Sequence, residues 1–418
     1  MPTWRMSPNL ELNQIVARRR SAGDPVVHLG FGEARLPPFG PLADQLAAGA
    51  RHNAYGPVAG SHEARAAVAS YFGRRALPTE PDQVVAAPGS KPLLMALNLA
   101  IPGDVLLPRP AWNTYAPQAE LAGKQAHAVA IPEQCGGVPD PDALRTALRS
   151  LRAKGRDPRV LVLTLPDNPT GTLAAPETVR NICSIAEEED LFIVSDEIYR
   201  DLVHDPALPF LSPAEVAPHR TVVTTGLSKS LALGGWRIGA ARFPDCRWGN
   251  EIRDRVVSVA SEVWSTLAGP MQSVLAYAFA EPPELREWLA ASNRLHGSVA
   301  RAVHRIMVGA GATCRPPTGG FYVYPDFEPL RMRLAQHEVT DSASLFAYLL
   351  DEFGIAVLAG HHLGDDPGAL RFKAATSMLY GDTVEEQRAA LDSADPLRLP
   401  HIARILARLE SSFGKLSG

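Results

Sequence analysis

Two kinds of stretch alternate along the first half of this chain. Short runs rich in Val, Ile and Leu, without polar interruption, are separated by longer stretches whose apolar residues recur every three or four positions. The runs are typical of strands buried on both faces, and the longer stretches are typical of amphipathic helices. This alternation predicts an α/β fold with a mostly parallel sheet between helices. The predicted strands are 82–90, 104–108, 125–131, 159–165, 191–195 and 221–225, and the predicted helices are 91–100, 115–121, 140–154 and 176–190.

The pattern changes after about residue 237, where long helical stretches are followed by short strands. We expect a smaller α+β unit here, completed by an N-terminal segment that includes a short strand at 26–33. A proline-rich stretch at 35–41 is interpreted as a linker. The later predicted helices are 248–260, 270–280, 285–308, 343–353 and one around 402–409, and the later predicted strands are 312–315, 320–324, 355–358 and 369–373.

Composition narrows the function classes. The chain has 418 residues, 46% of them hydrophobic, and a formal net charge of −4, which gives no electrostatic basis for binding nucleic acid or an anionic membrane. Its four cysteines are scattered without metal-like spacing, which favours a reducing compartment. The sequence shows neither an apolar signal core nor a stretch of transmembrane length, so we expect a soluble, cytoplasmic protein.

One stretch carries candidate chemistry. Residues 221–239 begin as a β-branched run and then change to small and polar residues around Lys229, with Arg237 in a glycine-rich turn. A lysine at the end of a buried strand is suited to imine formation, because desolvation lowers the pKa of its amine and makes it nucleophilic. Arg237 offers a guanidinium fork for a phosphate. Taken alone, the stretch is more typical of a plain surface loop.

Other strand ends add polar groups. Gly89-Ser90-Lys91 follows a strand and opens a helix, which makes an anion site, although an ordinary capped helix explains it equally well. Asn168 lies in a run that fits a simple turn, and Asp196 is a carboxylate at a buried strand end, which is costly without a cation. Together these groups match the donors and acceptors that pyridoxal phosphate needs at its ring nitrogen, ring oxygen, phosphate and aldehyde. Asp196 could face the ring nitrogen, and Asn168 and Tyr199 could face the ring oxygen. Gly89, Ser90 and Arg237 could hold the phosphate, and Lys229 could bind the aldehyde.

From about residue 25 to 410, the chain resembles the pyridoxal-phosphate-dependent aminotransferases of class I/II, fold type I. The resemblance rests on eight motifs in the family's order. They are Tyr55 to Gly60, Gly89-Ser90-Lys91, Pro110-Ala111-Trp112, Asn168-Pro169-Thr170-Gly171, Asp196 to Tyr199, Ser228-Lys229, Arg237 and Arg371. The resemblance implies a large cofactor-binding domain at 46–305, a small domain at 306–418 and an N-terminal segment, 1–45, that packs with the small domain. The large domain would contain the sheet, of the family's seven-stranded type.

The resemblance also implies a role for each residue. Lys229 would form the Schiff base and then move the proton as general acid and base, Asp196 would keep the ring nitrogen protonated, and Trp112 would stack on the ring. Asn168 and Tyr199 would bind the ring oxygen. The implied phosphate ligands are Gly89, Ser90, Lys91, Ser228 and Arg237, with Tyr55 reaching the neighbouring subunit's phosphate in a homodimer. The implied substrate-binding residues are Arg371, which would clamp the α-carboxylate, Phe31, Gly32 and Asn168.

The sequence departs from the family pattern at several positions. Gly226 stands where family members commonly carry a hydroxyl that binds the phosphate, so that contact is expected to be either missing or replaced, with Thr225 or Ser228 as the candidates. Residues 261–266 lack the arginine of dicarboxylate-specific members, which makes aspartate or glutamate a less expected substrate. Glu262 there could face a cationic or polar substrate end, although a solvated carboxylate at a helix end is the favoured interpretation. His361 and His362 occupy the family's pocket loop, but because they should point in different directions no metal site is expected.

We therefore predict an enzyme that moves the amino group of an α-amino acid to a keto acid. The alternative is elimination, replacement, cyclisation or oxidation of an amino acid with the same cofactor, as in specialised biosynthesis. A ligand-sensing domain of a transcription factor is not expected. Such domains are fused to a DNA-binding domain, whereas this sequence begins at the aminotransferase-like segment and has a net negative charge.

Overall fold

A seven-stranded sheet lies at the centre of the protein within residues 6–417, the part of the chain that the computed structural model describes. All strands run in one direction except β8, which is antiparallel to β2 and β7. The strand order across the sheet is β2-β8-β7-β6-β5-β3-β4. The strands are β1 (Val27–His28), β2 (Val84–Ala87), β3 (Asp104–Arg109), β4 (Ala126–Ala130), β5 (Pro158–Thr164), β6 (Phe192–Asp196), β7 (Thr221–Gly226), β8 (Gly239–Arg242), β9 (Tyr322–Val323), β10 (Ile355–Ala356), β11 (Leu358–Ala359) and β12 (Phe372–Ala375).

Helices cover both faces of this central sheet. Because side chains alternate along a strand, Val160 and Val162 of β5 pack on one face with the residues that follow β2, while Leu161 and Leu163 pack on the other. The helices are α1 (Pro8–Ser21), α2 (Gly40–Gly49), α3 (His62–Gly73), α4 (Ser90–Ala100), α5 (Tyr115–Leu121), α6 (Pro141–Ala153), α7 (Pro176–Glu188), α8 (Pro213–Val216), α9 (Leu227–Ser230), α10 (Arg247–Val263), α11 (Gly269–Ala280), α12 (Pro283–Gly309), α13 (Arg331–Leu334), α14 (Ser342–Phe353), α15 (Val384–Asp392) and α16 (Pro400–Ser417).

Two small sheets form beside the central sheet. Strand β1 pairs in parallel with β10, and β12 lies between β11 and β9 in an antiparallel sheet. The apolar residues Val27, Leu29 and Leu36 share one core with residues of α12, α14 and α16. The N-terminal segment thus packs with the C-terminal part of the chain. The domain boundaries at 45 and 305 stay predictions.

The predicted fold class is confirmed, with local differences. Strand β8 was not predicted, because Gly239-Ala240-Ala241-Arg242 lacks the β-branched residues that mark a strand. Helices α1 and α2 were also missed. Residues 312–315 do not form a strand, since only Thr313 bridges to Asp326. No helix within residues 6–417 is apolar and long enough to cross a membrane.

Candidate active site

The carboxyl ends of three neighbouring parallel strands bring polar side chains together. The register of β5, β6 and β7 places Thr164 beside Asp196 and Asp196 beside Thr224. Because carboxyl ends of parallel strands lie on the same sheet edge, the loops that follow them converge there. Those loops carry Asn168 and Tyr199, and α9 after β7 carries Lys229. The sequence-predicted residues of these three strand ends thus meet at one edge.

Asp196 is a buried carboxylate held by two hydroxyl groups. The Tyr115 hydroxyl donates to its Oδ2 at 2.8 Å, and Thr224 Oγ1 donates to its Oδ1 at 3.3 Å. The Tyr115 hydroxyl also lies 2.9 Å from Thr164 Oγ1. Burial raises the pKa of Asp196 to about 6, even though these donors favour the ionised form. A cation placed against Asp196 would stabilise the carboxylate and reverse this shift.

Lys229 extends from the first turn after β7. Its amine donates to the carbonyl oxygen of Gly32. Burial lowers the pKa of the amine to about 8, so a substantial fraction is neutral near physiological pH. Lys229 therefore has the desolvated, nucleophilic amine that imine chemistry requires.

Two tyrosines and an asparagine form the wall beside Lys229. The hydroxyl groups of Tyr199 and Tyr322 lie 2.6 Å apart, and Asn168 Nδ2 donates to the Tyr199 hydroxyl at 3.5 Å. Burial holds the pKa of Tyr199 well above its ordinary value, so this hydroxyl stays protonated. The Oδ1 atom of Asn168 is buried without a hydrogen-bond partner. Such an atom is costly to bury, which indicates that this wall is built to meet a further polar group.

An anion cradle forms where β2 runs into α4. Gly89 has a φ of +93°, and a Cβ at this position would lie 2.9 Å from Arg237 Cζ and closer still to Nη2. Only glycine leaves room for the guanidinium here. Ser90 begins α4, whose first backbone N–H groups are free to bind an anion. Arg237 Nη1 donates to Gly234 O at 2.9 Å and lies 3.5 Å from Ser228 Oγ, which orients the fork beside this helix end.

These groups line one cavity of about 510 Å³. It contains most of the sequence-predicted residues: Phe31, Gly32, Ser90, Lys91, Trp112, Asn168, Asp196, Tyr199, Ser228, Lys229 and Arg237. Gly89 adjoins the cavity through its contact with Arg237. Ser7, Asn9 and Leu10 also line it, since Asn9 Nδ2 at the start of α1 donates to Asn113 Oδ1 at 3.0 Å.

Two predicted residues are not in the cavity. Arg371 lies in a second cavity of about 530 Å³, where its Nε donates to Asp326 Oδ2 at 2.8 Å. Tyr55 is 89% exposed on the surface. His361 and His362 also lie outside the lining of the first cavity, and their rings lie against each other, with centroids 4.0 Å apart, instead of pointing apart as expected.

The missing hydroxyl at Gly226 has a steric explanation. A Cβ there would lie 2.8 Å from the carbonyl oxygen of Ile238 in the segment leading into β8, so no side chain fits without a shift. Ser228, one of the two residues expected to compensate, lines the cavity. Thr225, the other, does not line it.

Sequence reasoning missed several lining residues, among them Tyr115, Thr164, Tyr322 and Lys373. Thr164 ends the predicted strand before Asn168, so its place at the sheet edge was available from the pattern. Tyr115 begins a predicted helix, but nothing in the spacing indicates that its hydroxyl reaches Asp196. Lys373 lies two residues after Arg371, and strand alternation would have placed both on one face.

Comparisons with known proteins agree with this geometry. The sequence model of the family described as aminotransferase class I and II matches residues 26–379. An aspartate/prephenate aminotransferase of Thermus thermophilus is 32% identical over 320 residues, which cover 73% of this chain and 75% of that protein. An aspartate aminotransferase of Streptomyces avermitilis is 29% identical over 370 residues, covering 85% and 86%. The structure of the Thermus thermophilus aspartate aminotransferase with maleate superposes with a TM-score of 0.79 at 26% identity, covering 97% of this chain and all of that one.

The fold and the edge-of-sheet cavity define an α/β enzyme of the fold type I class. The chain belongs to the aminotransferase class I and II family. It is an aminotransferase, an enzyme of the transferase class, and its relatives favour transamination over the alternative chemistries.

Proposed function

We propose that this aminotransferase uses pyridoxal phosphate, bound in the cavity at the carboxyl edge of the sheet, to move an amino group from an α-amino acid to a keto acid. The observation that carries the proposal is the presence in one cavity of the desolvated Lys229 amine, the buried Asp196 carboxylate and the Arg237 cradle. When bound, the cofactor supplies an aldehyde that takes up the amino group and a ring that accepts electrons.

The residues of the cavity fit this cofactor on three counts. The absence of a side chain at Gly89 lets the Arg237 guanidinium lie beside the start of α4, so that a cation and free backbone N–H groups are together there for a phosphate. The Oδ1 atom of Asn168 is buried without a hydrogen-bond partner, so this side of the cavity has room for a further polar group. Asn168 and the Tyr199 hydroxyl beside it are suited to bind the ring oxygen. Asp196 is a buried acid without a cationic partner, suited to a protonated ring nitrogen.

Asp196 would serve as the counter-ion of the ring nitrogen. A carboxylate whose pKa burial raises to about 6 gains most from a cation that lies against it, because the pair removes the cost of an isolated buried charge. Tyr115 and Thr224 hold the carboxylate in place through their hydroxyl groups. We infer that Tyr115 positions Asp196 without touching the substrate.

Lys229 would hold the aldehyde carbon and, once the substrate displaces it, move the proton at the substrate Cα. An amine with a pKa near 8 can both accept and return a proton near neutral pH. The Gly32 carbonyl accepts a hydrogen bond from this amine and so fixes its direction. Trp112, which lines the cavity and meets Tyr115 edge to face with ring centroids 5.2 Å apart, would stack on the ring.

A homodimer that shares its sites is supported by the surface beside the phosphate end. Tyr55 is 89% exposed and Val263 is 68% exposed, which are high values for apolar side chains. Their segments are adjacent, because Thr266 Oγ1 donates to Pro57 O at 2.8 Å. Arg237 is itself exposed, so the phosphate end of the cavity is open to solvent in the single chain. We infer that a second copy covers this patch and brings its Tyr55 to the phosphate.

A cytoplasmic location is part of the same proposal. Cys135, Cys183, Cys246 and Cys314 are all unpaired thiols in the structure. Unpaired thiols persist most readily in a reducing compartment.

Several amino acids are candidate substrates. The relatives bear names that refer to aspartate and prephenate. The segment 261–266 lacks the arginine expected for a dicarboxylate substrate, so aspartate is one candidate among a panel.

The test is a half-reaction without a keto acid. Holoenzyme is incubated with a panel of amino acids while absorbance and mass report the state of the cofactor. Transamination predicts stoichiometric conversion to pyridoxamine phosphate with release of one keto acid per site. Retention of pyridoxal phosphate with formation of ammonia, peroxide or a cyclic product would reject transamination in favour of the alternative chemistry.

A further inference from the structure

One buried tyrosine of the cavity has no part in the roles described so far. Tyr322 begins β9, is completely buried and lines the same cavity as Tyr199 and Lys229. Its hydroxyl oxygen lies 2.6 Å from the Tyr199 hydroxyl oxygen. Burial raises the pKa of Tyr322 above its ordinary value, so the hydroxyl keeps its proton. Tyr322 is therefore a hydrogen-bond donor held directly behind Tyr199.

Packing holds the two hydroxyl groups together. The rings of Tyr199 and Tyr322 meet edge to face, with centroids 5.5 Å apart and an angle of 77° between their planes. On a further side, a Cβ at Gly32 would overlap the Tyr322 hydroxyl oxygen, so only glycine fits there. The carbonyl oxygen of the same Gly32 accepts the hydrogen bond of the Lys229 amine. The Tyr322 hydroxyl thus lies between the Tyr199 hydroxyl and the backbone that orients Lys229.

The two hydroxyl groups have more protons than acceptors. Tyr199 and Tyr322 have one hydroxyl proton each, and one of them donates to the other. Asn168 Nδ2 is a further donor to Tyr199, at 3.5 Å. Among the described residues no other side chain or carbonyl group accepts from either hydroxyl, so one proton is left without an acceptor. A buried donor without an acceptor is costly, which indicates that a ligand in the cavity supplies one.

We propose that Tyr322 is a positioning residue, whose hydroxyl donates to Tyr199 and so directs the Tyr199 proton to the ring oxygen of the cofactor. The assignment rests on the proposed function, because it presumes that the cavity holds pyridoxal phosphate. Asn168 contacts the Tyr199 hydroxyl and has a free Oδ1, which places the ring oxygen on the Tyr199 side of the pair. With the ring oxygen there, both hydroxyl protons have an acceptor. Hydrogen bonds in a chain strengthen one another, so the donor behind Tyr199 makes Tyr199 a stronger donor.

Charged groups approach Tyr322 from other elements. The Nζ atom of Lys373 in β12 lies 5.1 Å from the centroid of the Tyr322 ring, within the range of a cation–π contact. The carboxylate of Asp167, in the loop after β5, contributes to the raised pKa of Tyr322. Tyr322→Phe keeps the ring and with it the contact with Lys373. The substitution therefore tests the hydroxyl alone.

The experiment titrates holoenzyme without substrate and follows the absorbance of the covalently bound cofactor. The readout is the pKa of the nitrogen in the bond between cofactor and Lys229. When this nitrogen loses its proton, the neighbouring ring oxygen keeps a negative charge that the Tyr199 hydroxyl stabilises. Weakening that hydrogen bond therefore raises the pKa of the nitrogen. A role of Tyr322 in packing alone would not move it.

Two tyrosine variants and their combination separate direct from indirect action. Tyr199→Phe removes the donor and should raise the pKa of the nitrogen by about one to two units, as for a hydrogen bond to a charged group. Tyr322→Phe removes the cooperative part and should raise it by about half a unit. The double variant should titrate like Tyr199→Phe alone, because Tyr322 acts through Tyr199. The affinity of Tyr322→Phe for pyridoxal phosphate should fall less than about tenfold, the factor that one neutral hydrogen bond contributes.

The matched control is Tyr380→Phe. Tyr380 is also completely buried, and its hydroxyl lies 2.6 Å from His296 Nδ1, outside the cavity. Its substitution likewise removes one buried hydrogen bond, but it should leave the pKa of the nitrogen as in wild type. The absorbance of the bound cofactor shows in each variant that the site is folded.

The other outcomes contradict the proposal in distinct ways. A pKa of the nitrogen in Tyr322→Phe equal to that of wild type would overturn it. A Tyr322→Phe shift that adds in full to that of Tyr199→Phe would mean that Tyr322 acts on the ring oxygen without Tyr199. An equal shift in Tyr380→Phe would assign the effect to the general loss of a buried hydroxyl. Failure of the wild-type protein to bind pyridoxal phosphate would instead reject the proposed function itself.

Discussion

Replacing Gly89 by alanine is a sharp test of the proposed phosphate cradle. Gly89 has a φ of +93°, and an added Cβ would lie 2.9 Å from Arg237 Cζ. The Gly89→Ala substitution therefore has two effects. It strains the backbone, and it displaces the Arg237 guanidinium. Gly23 separates them, because its φ is +89° and an added Cβ would meet nothing within 4 Å.

The expected magnitudes follow from these two surroundings. A positive φ costs about 1–3 kcal/mol for a residue with a Cβ, so both variants should lose unfolding free energy, and Gly89→Ala should lose more because its ψ of 168° adds to the strain. Only Gly89→Ala should also lose the charge-assisted hydrogen bonds between Arg237 and the phosphate. Hydrogen bonds to charged groups contribute about 1.5–3 kcal/mol, which corresponds to about a 10- to 150-fold weaker binding of the cofactor.

The assay is titration of each apo-protein with pyridoxal phosphate and with pyridoxal, followed by absorbance. Gly89→Ala should weaken binding of the phosphorylated form and leave binding of pyridoxal nearly unchanged. Gly23→Ala should bind both like wild type. Equal affinities of the two glycine variants for pyridoxal phosphate would refute the assignment of Gly89 and Arg237 to the phosphate.

Three further predictions concern Lys229, Asp196 and Tyr55. Lys229→Ala should abolish the visible absorbance of the covalently bound cofactor, and a variant that kept this absorbance would contradict the lysine assignment. Burial raises the pKa of Asp196 from 3.8 to about 6, so between these pH values the folded apo-protein binds a proton that the unfolded chain releases. The contribution of this proton to the unfolding free energy is therefore lost as the pH rises through about 4 to 6. Apo Asp196→Asn should therefore be more stable than wild type at pH 7.5, by up to about 3 kcal/mol of unfolding free energy in chemical denaturation. The half-reaction of the variant should be slower. An unchanged stability would contradict the argument that the Asp196 charge is costly to bury. Sedimentation should show a dimer, and mixing Tyr55→Ala with Lys229→Ala chains should restore some activity through sites built from two chains, which independent sites could not do.

Much of the central site was predictable because of the topology of parallel sheets. Asn168, Asp196 and Lys229 each follow an apolar strand, and parallel strands end at a common edge. Their order along the chain was therefore enough to bring them together. Gly89 was predictable for a similar reason, since a strand that runs directly into a helix presents free N–H groups at its end, and Arg237 was indicated by its glycine-rich turn shortly after Lys229.

The residues that were missed depend on packing between distant segments. Tyr322 lies in a two-residue strand whose partner, β12, is about 50 positions away, so local periodicity does not indicate which face it presents. The positions of Lys373 and Arg371 differ only by their displacement along one strand, and the acids that pair with Arg371 come from separate loops. Helix α1 was missed because its few buried residues, Leu12 and Val16, do not make a clear apolar stripe, and the contact from Asn9 to Asn113 spans more than 100 residues of sequence.

The central claim, that Lys229 holds pyridoxal phosphate, can be tested directly by mass spectrometry. Holoenzyme is reduced with borohydride, which makes the bond between cofactor and lysine permanent, and is then digested. Lys91 and Lys373 line the same cavity, so three lysines compete for the aldehyde. The account predicts the reduced cofactor on Lys229 alone, at one equivalent per chain. Its presence on Lys373 or Lys91, or an unmodified Lys229 in holoenzyme, would contradict the account.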